Sequence, residues 1–329
     1  SAYDAQSHQH WREQLLAYFS DWECQQLVLP PRYFSWRQRG NSLTWAFKAR
    51  EVLEQDYDLL LVTSMVDLSA LRGFVPALAA LPTVVYFHEN QFAYPGSAQQ
   101  QSPVEPQLTS IYSALCANAI VFNSEFNRQT FLAGAGQLLK KLPDGIPSGL
   151  VEKLKSLSAV IPVPVFAPEP EAMDALSSDI RESNTLKLDY DPDRYHVVWN
   201  HRWEYDKGPE TLLNILALCQ THLPDIKFNI IGQQFRQSPK AFETINKHHS
   251  QQISHWGFIE KRTDYLSVLA SSDVVLSTAH HEFQGLAVME AIAQGCVPLL
   301  PDRLAYPNYC TKEYLYQSHK LSPKKEAEA

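Results

Sequence analysis

Four stretches of this 329-residue chain gather side chains able to do chemistry. The first is His201-Arg202-Trp203-Glu204-Tyr205-Asp206-Lys207-Gly208-Pro209, which follows an apolar run and opens a helical pattern. A strand-to-helix turn brings unbonded backbone N–H groups and the positive end of a helix dipole to one point. Arg202 adds a planar fork for phosphate oxygens and Lys207 a point charge, so a diphosphate suits this turn. Taken alone, a solvated basic pair beside Glu204 and Asp206 fits the same residues.

The second stretch is Glu282-Phe283-Gln284-Gly285-Leu286-Ala287-Val288-Met289-Glu290. Gly285 lets the backbone approach a ligand closely. A carboxylate accepts bonds from vicinal hydroxyls, which fits a ribose or a hexose. Glu290 has apolar neighbours and is expected near packed surface, where a carboxylate needs a partner. The third is Phe87-His88-Glu89-Asn90-Gln91, polar groups at the carboxyl end of an apolar strand, the usual place for a ligand site in an α/β sheet. The fourth runs from Cys24 to Arg50: Arg32, Arg37, Arg39, Lys48 and Arg50 are interleaved with Tyr33, Phe34, Trp36, Trp45 and Phe47, and no acidic residue interrupts them. Cations neutralise phosphates and aromatic rings stack on unpaired bases, so this cluster reads as an RNA contact. It stands out because residues 1–165 hold 12 basic and 14 acidic side chains overall. Packing of arginines and aromatics on a surface helix is the competing account.

Metal chemistry finds little support. His8-Gln9-His10, His248-His249 and His280-His281 are badly spaced to share an ion, and there is no H-E-x-x-H. Neither G-x-S-x-G nor a Walker A sequence occurs, and the lack of G-x-G-x-x-G speaks against a dehydrogenase.

The elements that must position these residues alternate. Strands are expected at Gln25–Leu29, Leu59–Thr63, Thr83–Phe87, Ala119–Phe122 and Ala159–Val163, then at His196–Asn200, Lys227–Ile231, Ser254–Phe258, Asp273–Ser277 and Val297–Leu300. Their Val, Ile and Leu content reads as buried parallel strands, with helical stretches between them, the pattern of doubly wound α/β sheets. The proline-rich, acidic stretch after Val163 interrupts the series. The expected organisation is a Rossmann-like acceptor domain over 1–167, a linker over 168–193 and a Rossmann-like donor domain over 194–329, with a cleft between the two domains. A first strand and a closing helix are expected beyond the chain's ends.

Composition sets limits. With 45% apolar and 19% charged residues the chain buries a real core, which excludes whole-chain disorder. A net charge of −8 excludes a uniformly basic coat for nucleic acid. No apolar run approaches the roughly 20 residues of a bilayer span. Cys24, Cys116, Cys219, Cys296 and Cys310 match neither a zinc ribbon nor a disulfide framework and read as small buried side chains in a reducing, cytoplasmic setting.

Glu282 and Glu290 stand at the E-x7-E spacing, and with Arg202 and Lys207 they resemble retaining glycosyltransferases of the family 4 type. The chain resembles the tRNA-queuosine α-mannosyltransferases more closely. The resemblance rests on Ser7-His8, Tyr86 to Gln91, Val121-Phe122-Asn123-Ser124, His201 to Glu204 with Asp206-Lys207, His255-Trp256-Gly257, and Ser277-Thr278-Ala279 with His281-Glu282-Phe283. It implies a GT-B fold, GDP-mannose as donor, no cofactor or metal ion, and the cyclopentenediol of queuosine in tRNA as acceptor. It also implies a front-face reaction with retention, in which the leaving diphosphate helps take the acceptor proton. Carried over, Arg202 and Lys207 hold the diphosphate and Glu290 binds the ribose. Glu282, with backbone N–H groups near Gln284, Gly285 and Leu286, binds the sugar hydroxyls, Phe283 belongs to the same donor site, and His88 lies beside the sugar. Ser7 and His8 fall in a loop that contacts the donor phosphates, although Asp4-Ala5-Gln6 stands where glycines are common. Glu89, Asn90 and Gln91, with Arg32, Trp36, Arg37 and Arg39, face the acceptor. The rival readings are a related enzyme with another nucleotide sugar and a glycan or lipid acceptor, a nucleotide-sugar epimerase, and a non-catalytic nucleotide or RNA binder.

Overall fold

Continuous apolar runs form the central strands, such as His196–Asn200, all of whose residues are buried because a parallel sheet is covered on both faces. The computed structural model describes residues 1–93, 104–143, 146–165, 194–235 and 237–329, so the expected linker at 168–193 lies outside the described residues. The chain divides into two units, Ser1–Pro164 and Val165–Ala329.

The first unit holds a parallel sheet in the order β1-β2-β3-β4, with β1 Leu60–Thr63, β2 Thr83–Phe87, β3 Ala119–Phe122 and β4 Ser158–Val160. Helices include Gln6–Tyr18, Phe34–Lys48, Val104–Leu115 and Glu125–Leu139. Phe87, Phe122 and Phe131 pack together at the centre, with ring centroids 4.8 to 5.3 Å apart. The expected strand Gln25–Leu29 does not form. That segment is extended, with its backbone bonded to the chain start rather than to a strand: Leu29 N donates to Ser1 O and Asp4 N to Leu29 O, each at 3.0 Å.

The second unit holds a parallel sheet in the order β10-β9-β8-β5-β6-β7. Its strands are β5 His196–Asn200, β6 Lys227–Ile231, β7 Ile253–Gly257, β8 Val274–Leu276, β9 Val297–Pro301 and β10 Leu315–Tyr316. The last was not expected, since two paired residues carry no periodicity. Read from β7 to β10, this is the doubly wound order in which the chain reverses direction across the sheet between the first and fourth strands. Here those strands are β5 and β8, which pair through Val197 with Val274 and Val198 with Val275. A ligand crevice belongs outside their carboxyl ends. Those ends carry the first two stretches singled out from the sequence.

All five cysteines are free. Cys296 is buried as expected, whereas Cys24 is exposed. Among the described residues, no helix is long and apolar enough to cross a membrane.

Candidate active site

In the second unit two loops are stitched together at the switch point. After β5 the chain turns through His201–Gly208 into the helix Pro209–His222. After β8 it runs through Ser277–Gly285 into the helix Leu286–Ala293. Gly208 takes φ +66°, and a Cβ there would lie 2.1 Å from the Thr278 carbonyl oxygen, so only glycine lets the loops touch. Trp199 Nε1 donates to Thr278 Oγ1 at 2.9 Å, and Thr278 Oγ1 donates to Lys207 O at 2.7 Å. The His280 and His281 amides both donate to Asp206 O, at 2.7 and 3.2 Å.

Lys207 and Glu282 meet inside this frame. Lys207 Nζ donates to Glu282 Oε2 at 2.9 Å and to His281 O at 2.8 Å, and it lies 3.4 Å from Asp206 Oδ2. The lysine side chain is buried. Burial alone would lower its ammonium, yet Glu282 and Asp206 outweigh that and raise it, so it stays charged. Burial likewise pushes the Glu282 carboxyl up, and Lys207 beside it pulls it below its ordinary value. Asp206 is also lowered against the effect of burial, through His281 and Lys207. His201 is bonded to Ser277 Oγ at 3.0 Å, and Ser277 Oγ to Tyr306 Oη at 2.6 Å. Burial and then Lys207 bring His201 down to about 4, so it is neutral at pH 7.

Arg202 stands apart from the buried pair. Its side chain is 51% exposed, with Nη1 3.0 Å from Glu204 Oε2. Glu290 forms a separate cluster. It accepts from Arg262 Nη2 at 2.5 Å and from Tyr265 Oη at 3.0 Å, and Asn200 Nδ2 at the end of β5 donates to Tyr265 Oη at 3.1 Å. The partner that its apolar neighbours required is therefore Arg262. Phe283 and Gln284 are buried, Phe283 edge-on to His281 at 4.8 Å and Gln284 Nε2 3.4 Å from Met289 Sδ. Gly285 adopts φ +83°, and a Cβ there would lie 2.9 Å from Tyr309 Oη. Leu286 begins the helix that follows. Asp206, Arg262, Tyr265, Ser277, Tyr306 and Tyr309 carry much of this geometry without having been assigned a role from the sequence. Only the strand order reveals that the segments bearing them converge.

In the first unit His88 closes β2 among aromatic rings. It stacks on His8 at 4.1 Å and contacts Trp11 at 5.0 Å and Tyr86 at 4.7 Å. Burial, then His8, holds its imidazole well below the ordinary value, so it is neutral. Its Nε2 has no hydrogen-bond partner among the described residues. Ser7 and His8 lie in the first turn of the helix Gln6–Tyr18 rather than in a loop, Ser7 exposed and His8 buried. The reason is local: Gln9 N already donates to Ala5 O at 2.8 Å, which starts the helix before Ser7.

Several residues read as acceptor contacts have partners within the fold. Asn90 is buried, and its amide nitrogen donates to Asn127 Oδ1 at 2.8 Å while its oxygen accepts from Phe92 N and Ala93 N at 2.9 and 3.1 Å. Asn123 donates to His88 O at 2.8 Å, so asparagines lock the turn after β2. Glu89 and Gln91 are half-buried, Gln91 Oε1 accepting from Gln38 Nε2 at 3.3 Å. The helix Phe34–Lys48 splits the basic-aromatic cluster by its 3.6-residue period. Arg37, Asn41 and Trp45 face inward and are buried, whereas Trp36 and Phe47 are exposed. Arg39 is paired with Asp67 at 3.0 Å and Glu105 at 3.2 Å. Arg32 lies 5.6 Å over the Tyr33 ring. Among the described residues, no three His, Cys, Asp or Glu side chains group as a metal site.

Comparison with known proteins agrees with this architecture. An alpha,alpha-trehalose-phosphate synthase (UDP-forming) from Burkholderia vietnamiensis superposes with a TM-score of 0.64 at 13% identity, covering 98% of this chain and 75% of that one. An Anabaena protein crystallised with UDP and glucose gives 0.58 at 16% identity, covering 96% and 77%. At such identity the likeness shows the fold, GT-B with two Rossmann-like domains. Residues 181–319 match the glycosyl transferases group 1 family, and residues 1–165 match the family described as tRNA-queuosine alpha-mannosyltransferase N-terminal. A Drosophila melanogaster protein named tRNA-queuosine alpha-mannosyltransferase is 34% identical over 302 residues, covering 90% of this chain and 77% of that protein. This glycosyltransferase therefore belongs to the tRNA-queuosine alpha-mannosyltransferase family.

Proposed function

We propose that this chain transfers a mannosyl group from GDP-mannose to the cyclopentenediol of queuosine in tRNA, with retention and without a metal ion. The observation that carries the reading is the buried Lys207–Glu282 pair, at 2.9 Å, at the switch point of a chain in this family. In the proposed reaction the bond from the anomeric carbon to the β-phosphate oxygen breaks. An acceptor hydroxyl attacks from the same face, and its proton passes to the leaving diphosphate. Arg202 and Lys207 meet the negative charge that grows on the diphosphate, which is electrostatic catalysis. Glu282 takes the sugar hydroxyls, with the backbone of residues 284–286 as further donors. Glu290 takes the ribose, and its bonds to Arg262 and Tyr265 support that role by fixing the carboxylate. His88, neutral and with Nε2 unpartnered among the described residues, is the proposed hydrogen-bonding group for the sugar. Trp36 and Arg32, exposed on the first unit, are the proposed RNA contacts.

Thermal shift with GDP, GDP-mannose, UDP and UDP-glucose tests the donor. A ligand at 100 times its dissociation constant stabilises the protein by about 2.7 kcal/mol. The expected result is a rise with the guanine nucleotides alone, followed by the gain of one hexose on queuosine-containing tRNA seen by nucleoside mass spectrometry. A rise with uridine nucleotides alone overturns the donor. Donor hydrolysis or epimerisation without a tRNA product overturns the acceptor.

A further inference from the structure

Arg303 sits just past β9 with its guanidinium almost entirely buried. Its N–H donors are fully engaged. Nε donates to Ala279 O at 2.8 Å and Nη2 to Thr278 O at 3.1 Å. Nη1 donates to Ser318 Oγ at 2.8 Å. Nη1 and Nη2 form a two-pronged pair with Glu326, at 2.6 and 2.8 Å. Glu326 lies on the helix Pro323–Glu328, is buried, and also accepts from His319 N at 2.7 Å. Taking both charges out of water is costly, and the two-pronged geometry with the added hydrogen bonds offsets that cost. The residue after Arg303, Leu304, takes φ +61°, a left-handed conformation that a side chain keeps only where its surroundings enforce it.

The two carbonyls that Arg303 grips belong to the loop bearing Glu282, three and four residues upstream of it. The same loop is bonded from the other side to Asp206 and Lys207. The helix Pro323–Glu328 packs on the helix Pro209–His222, which begins two residues after Lys207. One short helix thus holds both chain segments that carry the charged pair.

We propose that Arg303 and Glu326 are positioning residues, which fix the Ser277–Glu282 loop so that Glu282 and Lys207 stand ready for the donor. Neither touches the reacting atoms. Arg303 works as a clamp on backbone carbonyls, and Glu326 neutralises the clamp and orients its fork. The consequence for catalysis rests on the donor role given to Glu282 and Lys207 above; the mechanical coupling does not.

Two mild variants test this. Glu326→Gln removes the charge and one acceptor, and Arg303→Lys keeps a cation but loses the fork. In hydrogen exchange read by mass spectrometry, peptides covering residues 277–284 and 203–208 should exchange faster in both variants, while those covering β2 and β3 should not change. In steady-state assays run well below each variant's melting temperature, the KM for GDP-mannose should rise about tenfold, the worth of one or two lost hydrogen bonds, with the KM for tRNA unchanged. A loss of folded enzyme alone would lower the apparent kcat and leave both KM values in place, and that result overturns the proposal. Unchanged exchange in 277–284 overturns it as well. Were wild type to transfer no mannose, the functional reading would fall, and the exchange result would still decide whether the clamp holds the loop.

Discussion

Replacing Lys207 with methionine keeps the bulk of the side chain and deletes its charge. In the native site its Nζ lies 2.9 Å from Glu282 Oε2, 3.4 Å from Asp206 Oδ2 and 2.8 Å from His281 O. Deleting the cation leaves two carboxylates in one buried setting, and breaking a buried pair in this way costs about 3–5 kcal/mol. For a unit of this size, each kcal/mol moves the melting temperature by about 2–4 °C, so the second unit should melt about 6–20 °C lower. The loss must also depend on pH. Burial alone would raise the Glu282 carboxyl above its ordinary 4.5, and Lys207 reverses that. A carboxyl lowered in the folded state adds stability above its unfolded value, and that stability disappears as the pH falls through the folded value. Without Lys207 burial acts with less opposition, the carboxyl rises, and taking up a proton relieves the variant as the pH falls. Asp206, held low partly by Lys207, acts in the same sense. The gap in stability should therefore be widest at neutral pH and narrow towards about pH 5. Urea unfolding followed by tryptophan fluorescence at several pH values measures it. A gap below about 1 kcal/mol, the range of exposed pairs, or one that stays constant with pH, refutes the argument.

Three further outcomes follow from the geometry. Gly285→Ala should cost about 1–3 kcal/mol through its left-handed φ of +83°, and it should also weaken donor affinity because its Cβ drives Tyr309 aside; calorimetric melting and nucleotide titration separate the two effects. Arg202→Ala should change stability by less than about 0.5 kcal/mol, since the side chain faces solvent, while GDP affinity falls severalfold in titration calorimetry. Trp36→Ala should leave stability intact and weaken tRNA binding by about 1–3 kcal/mol in filter binding if its exposed ring stacks on an unpaired base, whereas Arg37→Ala, at the neighbouring but buried position of that helix, should destabilise the first unit instead.

Strand positions were legible because buried parallel strands are continuous apolar runs, and His196–Asn200 and Lys227–Ile231 begin and end where those runs do. Gln25–Leu29 has the same composition but no sheet neighbour in place, and composition does not say which runs will pair. One turn residue was legible for a related reason: Gly285 marks a site where backbone must come close and takes positive φ, whereas the close approach at Gly208 emerges only from the fold. Partners across the sequence were not legible. Nothing near Glu290 announces Arg262, which is 28 residues away, and nothing near Asn90 announces Asn127. Which members of the basic-aromatic cluster face solvent was not legible, because composition ignores helical phase. Arg37 and Trp45 lie eight residues apart, which returns to the same side of a helix, and that side is the packed one.

The observed charge pairing sets a requirement on the proposed reaction. Lys207 already balances Glu282 in part, Asp206 adds another negative charge, and His201 is neutral, so the buried centre offers an incoming diphosphate no spare positive charge. The diphosphate must first be drawn by Arg202, which faces solvent; the helix start adds little, since Pro209 has no N–H and the Thr211 and Leu212 amides already donate to Gly208 O. Lys207 can then serve the phosphate only as Glu282 finds other hydrogen-bond donors, and the hydroxyls of the sugar are such donors. Under this scheme the two contacts exchange together. A nucleoside diphosphate without its sugar leaves Glu282 with no substitute for Lys207, so the complete donor should bind with more order in residues 277–285 than the bare diphosphate does.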